Sequence, residues 1–219
     1  MTQLDAAVEF ATNPEPRCAC VLLLDVSASM ARRPIEALNE GLRAFAADVK
    51  TDVLARQRVE VAIVTFGGHG VQVRQEFMIA SEFEPPVLGA SGGTPMGEAI
   101  CKALEMVEDR KAQYRSNGIS YYRPWVVLIT DGAPTDAWTE AAERVRGAER
   151  SGAAAFFAVG VKGADMGVLG QIATRHPLSL DGLKFVELFV WLSRSQRRVS
   201  ASKPGEETGL PAVEGWASV

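Results

Sequence analysis

Four runs of the chain, residues 18–24, 59–66, 125–130 and 153–161, are almost continuously apolar, and stretches with apolar residues at helical spacing lie between them. A strand with one wet face alternates in polarity, whereas a strand covered on both faces does not. These runs therefore predict a parallel sheet with helices on both sides. Pro34 suits the first turn of a helix. Ile35, Leu38, Leu42, Phe45, Ala46 and Val49 then follow at the spacing of one helical face. Further helices are predicted over 95–114, 135–150, 165–174 and 183–194, and a last short strand near 178–180. The mixed run 71–79 follows Gly67, Gly68 and Gly70, which predicts an edge strand hairpinned to, and antiparallel with, the strand before it. The expected fold class is a doubly wound, mostly parallel α/β sheet, which places a ligand site at the carboxyl ends of its strands.

At 219 residues, 47% of them hydrophobic, the chain suits one domain with a tail. We read 1–17 as an N-terminal extension, 18–194 as the domain and 195–219 as a polar linker and tail. The stretch 197–209 has the composition of a linker. In the tail, Trp216 is expected to pack back on the domain. A net charge of −4 provides no field that would call for nucleic acid or an anionic membrane. The late apolar stretch 185–192 is far short of the roughly 20 residues that span a bilayer. Cys18 and Cys20 lie two apart on one strand, poor geometry for a disulfide, and with Cys101 they read as small buried side chains. The start shows no secretory pattern, so a cytoplasmic location is expected.

The first apolar run ends in Asp25-Val26-Ser27-Ala28-Ser29. A carboxylate and two hydroxyls thus stand at i, i+2 and i+4 where a buried strand meets its loop. Asp131 ends the run 126–130 in the same way, and Thr94 follows Ser91-Gly92-Gly93 at a helix start. Alone, each residue suits turn or cap chemistry. Together, Asp25, Ser27, Ser29, Thr94 and Asp131 offer two carboxylates and three hydroxyls from three loops. That is the oxygen set a hard divalent cation prefers, Mg2+ before Mn2+ or Ca2+. Asp136 reads as a residue that caps or opens its own helix.

DVSAS, SGGTPMG and LITDGAPTD, in that order, resemble the metal-ion-dependent adhesion site (MIDAS) of von Willebrand factor A domains, over about residues 18–192. Pro34-Ile35-Glu36-Ala37-Leu38-Asn39 and Tyr121-Tyr122-Arg123-Pro124-Trp125 look closest to the bacterial TerY-like (tellurium resistance) branch. The resemblance implies a six-stranded sheet with one antiparallel edge strand. It implies that Ser27 and Ser29 bind the cation directly, Thr94 directly or through water, and Asp25 and Asp131 often through waters. It further implies a non-catalytic module that docks an acidic side chain of a protein partner onto the metal. The TerY-like branch implies company with a PP2C-type phosphatase or a protein kinase in stress or phospho-signalling. Relatives commonly carry glycine at the positions of Ala28 and Arg32. Here Arg32 and Arg33 set two cations beside the loop, either to attract an acidic partner or simply as solvated side chains.

Enzyme readings compete. Gly89-Ala90-Ser91-Gly92-Gly93 matches the nucleophile elbow G-x-S-x-G, with Asp131 and His176 following in the hydrolase order. The elbow needs a buried strand before it, and Pro85-Pro86 argue against one. A metal-dependent phosphohydrolase needs a base, and no histidine or spare carboxylate stands near the proposed ligands. His69 and His176 read as surface-loop residues. Tyr114, Tyr121, Tyr122 and Trp125 suit either packing or docking.

Overall fold

The computed structural model describes residues 3–213 and 215–218; Met1 and Thr2 of the N-terminal extension, and Glu214 and Val219 of the tail, lie outside them. The strands are β1 (Cys18–Val26), β2 (Val59–Gly67), β3 (Gly70–Ile79), β4 (Trp125–Thr130), β5 (Ala155–Gly160), β6 (Leu178–Leu180) and β7 (Ala217–Ser218). The helices are α1 (Gln3–Thr12), α2 (Arg33–Lys50), the short α3 (Ala55–Arg58), α4 (Met96–Ser116), α5 (Thr139–Arg150), α6 (Met166–Ile172) and α7 (Phe185–Ala201). The sheet order is β3-β2-β1-β4-β5-β6-β7. All neighbours are parallel except β2–β3 and β6–β7. Chain order reverses between β1 and β4, so the switch point lies where Asp25 and Asp131 leave the sheet.

Alternation along the strands explains the continuous apolar runs. Cys18, Cys20, Leu22 and Leu24 pack with α2 and α7 on one face, in the company of Leu42, Phe45, Phe185 and Phe189. Ala19, Val21 and Leu23 pack with α4, α5 and α6 on the other, with Ala99, Ala103, Val145 and Leu169. Successive side chains point to opposite faces, and here both faces are covered. Cys18 and Cys20 are buried free thiols, and Cys101 is only half-buried. Among the described residues, no helix is long and apolar enough to cross a membrane.

Two expectations need correction. The sheet has seven strands rather than six, and a second antiparallel edge. The added strand comes from the tail: Ser179 pairs Ser218 and Leu180 pairs Ala217. Trp216 is buried, its ring 5.3 Å from that of Trp191, so the tail does pack back. The indole N–H of Trp191 donates to the Pro211 carbonyl at 2.9 Å. The second correction concerns 197–209: α7 runs through its first five residues, to Ala201. Toward its end α7 buries the polar residues Ser193, Ser195, Gln196 and Ser200, while Arg198 and Ala201 are exposed. Gln196 accepts from the Cys18 thiol at 3.0 Å, and Ser195 donates back to the Trp191 carbonyl at 2.8 Å. Arg58 donates to the Ser200 carbonyl at 2.6 Å, and the Tyr122 hydroxyl donates to the Ser202 carbonyl at 2.6 Å, which satisfies the end of the helix. Tyr114, Tyr122 and Trp125 are likewise buried, so of the aromatic group only Tyr121 is partly accessible.

Candidate metal centre

The site is assembled by strand register. Leu24 of β1 pairs Ile129 of β4, so Asp25 comes level with Thr130 at the carboxyl edge. Asp25 is fully buried. One of its oxygens accepts the Ser27 backbone N–H at 2.8 Å, the short Asx turn that swings the chain out of the strand. The other accepts the Thr130 hydroxyl at 2.5 Å. From Ser27 a chain of hydroxyls leads to the second carboxylate. The Ser27 and Ser29 oxygens lie 3.0 Å apart, and Ser29 donates to Asp131 at 2.6 Å. Ser29 commits its proton to Asp131, which leaves the single Ser27 hydroxyl proton shared between Ser29 and the Asp25 carboxyl.

Thr94 closes the ring from the third loop. Its backbone N–H donates to the Thr135 hydroxyl at 3.0 Å, and its carbonyl accepts the Thr135 N–H at 2.9 Å. A side chain added at Gly132 would begin 3.5 Å from the Thr94 hydroxyl oxygen and 3.9 Å from an Asp25 carboxylate oxygen. Both oxygens thus flank one small space that glycine leaves open. All five residues expected from the sequence are therefore brought together at one sheet edge. Burial pushes the Asp25 carboxyl up from its ordinary range; hydrogen bonds from Ser27 and Thr130 oppose this, and the charge of Asp131 adds to it. An all-oxygen set that holds two carboxylates close together, with an open space beside them, fits a hard divalent cation. Among the described residues, no three His, Cys, Asp or Glu side chains gather into a metal-ligating group, so a cation here relies on the hydroxyls.

Backbone hydrogen bonds tie the loop carrying Thr94 to the ends of β1 and β2. Ser91 N–H donates to the Val26 carbonyl at 2.8 Å, Ala28 N–H to the Gly92 carbonyl at 2.9 Å, and Gly68 N–H to the Ser91 carbonyl at 2.5 Å. Gly92 has φ +72°, and a methyl there would meet the Gly68 Cα at 2.1 Å. Gly92→Ala is expected to cost about 1–3 kcal/mol and to displace Thr94, read as a lower urea midpoint at unchanged m-value.

Asp136 does not serve its own helix. It accepts the Gly97 and Glu98 N–H groups at 3.0 and 2.9 Å, and so caps α4 across the site. Three residues escaped the sequence reading: Thr130 and Thr135, whose hydroxyls hold Asp25 and Thr94, and Asn39. The buried Asn39 side chain donates to the Leu88 carbonyl and accepts the Leu88 N–H, each at 2.9 Å, fixing the loop upstream of Thr94. The two threonines had a signal, since both stand inside LITDGAPTD. Ser91 follows no strand: the loop from Phe83 to Pro95 has no regular element, so the strand–turn–helix of a nucleophile elbow is missing there. His69 and His176 are both exposed.

Residues 20–182 match the model of the von Willebrand factor type A domain. Among solved structures, the chain is similar to the pilus adhesin SpaC from Lactobacillus rhamnosus GG, with TM-score 0.65 and 15% identity over 83% of this chain and 30% of SpaC. It is similar to proximal thread matrix protein 1 from the mussel byssus with a zinc-occupied MIDAS motif, with TM-score 0.52 and 15% identity over 83% of this chain and 48% of that one. It is also similar to the manganese-loaded TRAP protein of Plasmodium vivax, with TM-score 0.53 and 18% identity over 80% of this chain and 73% of that one. At these identities the likeness is one of fold. This chain spans less than half the length of SpaC or of the mussel protein. No curated protein matches the chain.

Proposed function

This chain belongs to the von Willebrand factor type A domain family, and we propose that it is a non-catalytic, metal-dependent protein-interaction module. The observation that carries this reading is the hydrogen-bonded chain Ser27–Ser29–Asp131 beside the buried Asp25, with Thr94 facing the same space. Ser27, Ser29, Thr94, Asp25 and Asp131 would hold Mg2+, with Mn2+ or Ca2+ as alternatives. When bound, the cation supplies an undercharged coordination position that an Asp or Glu of a protein partner completes. A charged ligand entering an unfilled metal shell gains Coulomb energy beyond what an ordinary buried pair returns. The zinc-occupied MIDAS of the mussel protein and the manganese-loaded TRAP protein give precedent for metal in this fold.

The role of the residues around the site is to bind and orient. Thr130 and the Ser27 N–H fix the Asp25 carboxylate, and Thr135 fixes Thr94. Among the described residues around the site, the Asp25, Asp131 and Asp136 carboxylates are already engaged by hydroxyl or backbone donors, which favours recognition over hydrolysis. We place the module in the TerY-like branch, with a PP2C-type phosphatase or a protein kinase as partner class, on the strength of the two motifs around Pro34 and Tyr121. The free thiols Cys18, Cys20 and Cys101 suit a cytoplasmic, reducing location.

Calorimetric titration of the chelator-stripped chain with Mg2+ and with Mn2+ tests the metal. One site is expected, and a partner captured with metal is expected to elute with chelator. Absence of binding by either metal, or capture indifferent to chelator, would overturn the reading. Hydrolysis that survives chelation and dies with Ser91→Ala would establish the enzyme alternative in its place.

A further inference from the structure

Arg32 is the one non-glycine among the described residues with positive φ, at φ 69° and ψ −123°. That region belongs to glycine, because a Cβ crowds the backbone there. The position turns the chain from the 3₁₀ turn Ala28–Met30 into α2, and Glu36 N–H already bonds to its carbonyl at 3.2 Å. The backbone geometry is therefore required at this point, but an arginine side chain is not. Arg32 and Arg33 are both exposed. Among the described residues, neither side chain forms a hydrogen bond or an ion pair, and neither reaches Asp25 or Asp131. Arg32 follows Ser29 by three residues, at most about 10 Å of chain, so both arginines lie on the segment that leaves the candidate metal centre. A strained residue with no internal partner, beside a site, points to a contact made outside the chain.

We propose that Arg32 and Arg33 form a second, cationic contact point next to the metal, and that the partner segment carries at least two acidic side chains. One would complete the metal shell and the others would pair with the guanidiniums. The inference rests on the metal-dependent reading above and narrows it from a lone acidic residue to a short acidic cluster. Arginine suits this role because its planar fork pairs a carboxylate through two hydrogen bonds.

The test uses two synthetic peptides in a Ser/Gly background, one with a single Glu and one with three, each titrated at low salt with saturating Mg2+ against wild type, Arg32→Gly and Arg32→Gly/Arg33→Ser. Wild type is expected to bind the triple-Glu peptide about two- to fivefold more tightly than the variants do, and the single-Glu peptide equally. Arg32→Gly is also expected to raise the melting temperature by about 2–4 °C, since glycine relieves the turn. A more stable variant with weaker acidic-cluster binding is a signature that misfolding cannot mimic. Metal-dependent binding with no difference between wild type and variants overturns this inference alone. Peptide binding that ignores chelator overturns the metal-dependent reading beneath it.

Discussion

Glu60→Ala is expected to lower stability by about 3–5 kcal/mol, the cost of stranding buried charge, and the melting temperature by roughly 6–20 °C for a chain of this size. Glu60 lies on β2, fully buried, at the end of the sheet opposite the candidate metal centre. Its carboxylate accepts from Arg17 Nε at 2.7 Å, from Arg110 Nε and Nη2 at 2.8 and 2.9 Å, and from the Tyr114 hydroxyl. The arginines extend the network outward. Arg17 donates to the Asn13 and Glu15 carbonyls, each at 2.6 Å, and Arg110 Nη2 to Glu9 at 2.6 Å. The ring of Phe10 in α1 lies against both guanidiniums, 5.3 Å from that of Arg17 and 4.9 Å from that of Arg110. Burial alone would lower the Arg110 guanidinium, but hydrogen bonds and charge from Glu60 outweigh it and hold Arg110 above its ordinary value. Burial and the Glu60 charge push the Tyr114 hydroxyl far up, so it stays protonated and donates. Removing the carboxylate leaves two buried cations facing each other and also releases the N-terminal helix. Chemical unfolding of Glu60→Ala and of the milder Glu60→Gln measures this. A loss under about 1 kcal/mol for Glu60→Ala would mean that water compensates the arginines, and the network would not be what anchors α1. Asp25 lies six positions along β1 from Ala19, the partner of Glu60, or about 20 Å. The folded variant is therefore expected to keep its metal response.

That network shows where sequence reading succeeds and where it stops. The strands were legible because burial on both faces removes polar alternation, so 18–24 and 125–130 read as strands without ambiguity. Glu60 sat inside one such run and gave no hint of its partners, which come from positions 17, 110 and 114. The end of α7 was illegible for a related reason. Ser193, Ser195, Gln196 and Ser200 are buried, yet composition alone reads them as solvated: Ser195 and Ser200 turn their hydroxyls back onto carbonyls of their own helix, and Gln196 meets the Cys18 thiol across the fold. A two-residue strand such as β7 carries no period at all, and only the isolated Trp216 signalled that the tail would dock. At the candidate metal centre, the oxygen-bearing residue types at strand ends were visible in one dimension because a parallel sheet delivers every carboxyl end to the same edge. Thr130, Gly132 and Asp136 all stand in LITDGAPTD, but which group each one meets depends on register between strands and on the approach of two loops. No local pattern encodes either.

Asp25→Asn should separate metal binding from folding. The amide keeps the shape of the carboxylate. Its carbonyl oxygen can accept the Ser27 N–H, and its NH2 can donate to Thr130, whose hydroxyl proton rotates away. The charge is lost, and with it much of the attraction for a divalent cation. In wild type, free metal at a hundred times its dissociation constant is expected to add about 2.7 kcal/mol of stability, a rise of roughly 5–11 °C in melting temperature. In Asp25→Asn that rise is expected to vanish. Without metal, the order of stability should reverse. The folded-state value for Asp25 is raised, so between the ordinary carboxylate range and that raised value the folded chain holds a proton that the unfolded chain has shed. Stability contributed by this group is therefore present at low pH and lost as pH rises through the window. Above that window the stripped wild type carries an ionised, desolvated carboxylate beside Asp131, and the asparagine variant does not. The stripped variant is expected to melt at or above the stripped wild type, while the metal-loaded wild type melts above both. Scanning calorimetry on the two chains, with chelator and with Mg2+, reads all four states. A variant that keeps the metal-induced rise would remove Asp25 from the site. A stripped variant well below wild type would show that the carboxylate holds the fold together rather than waiting for a cation.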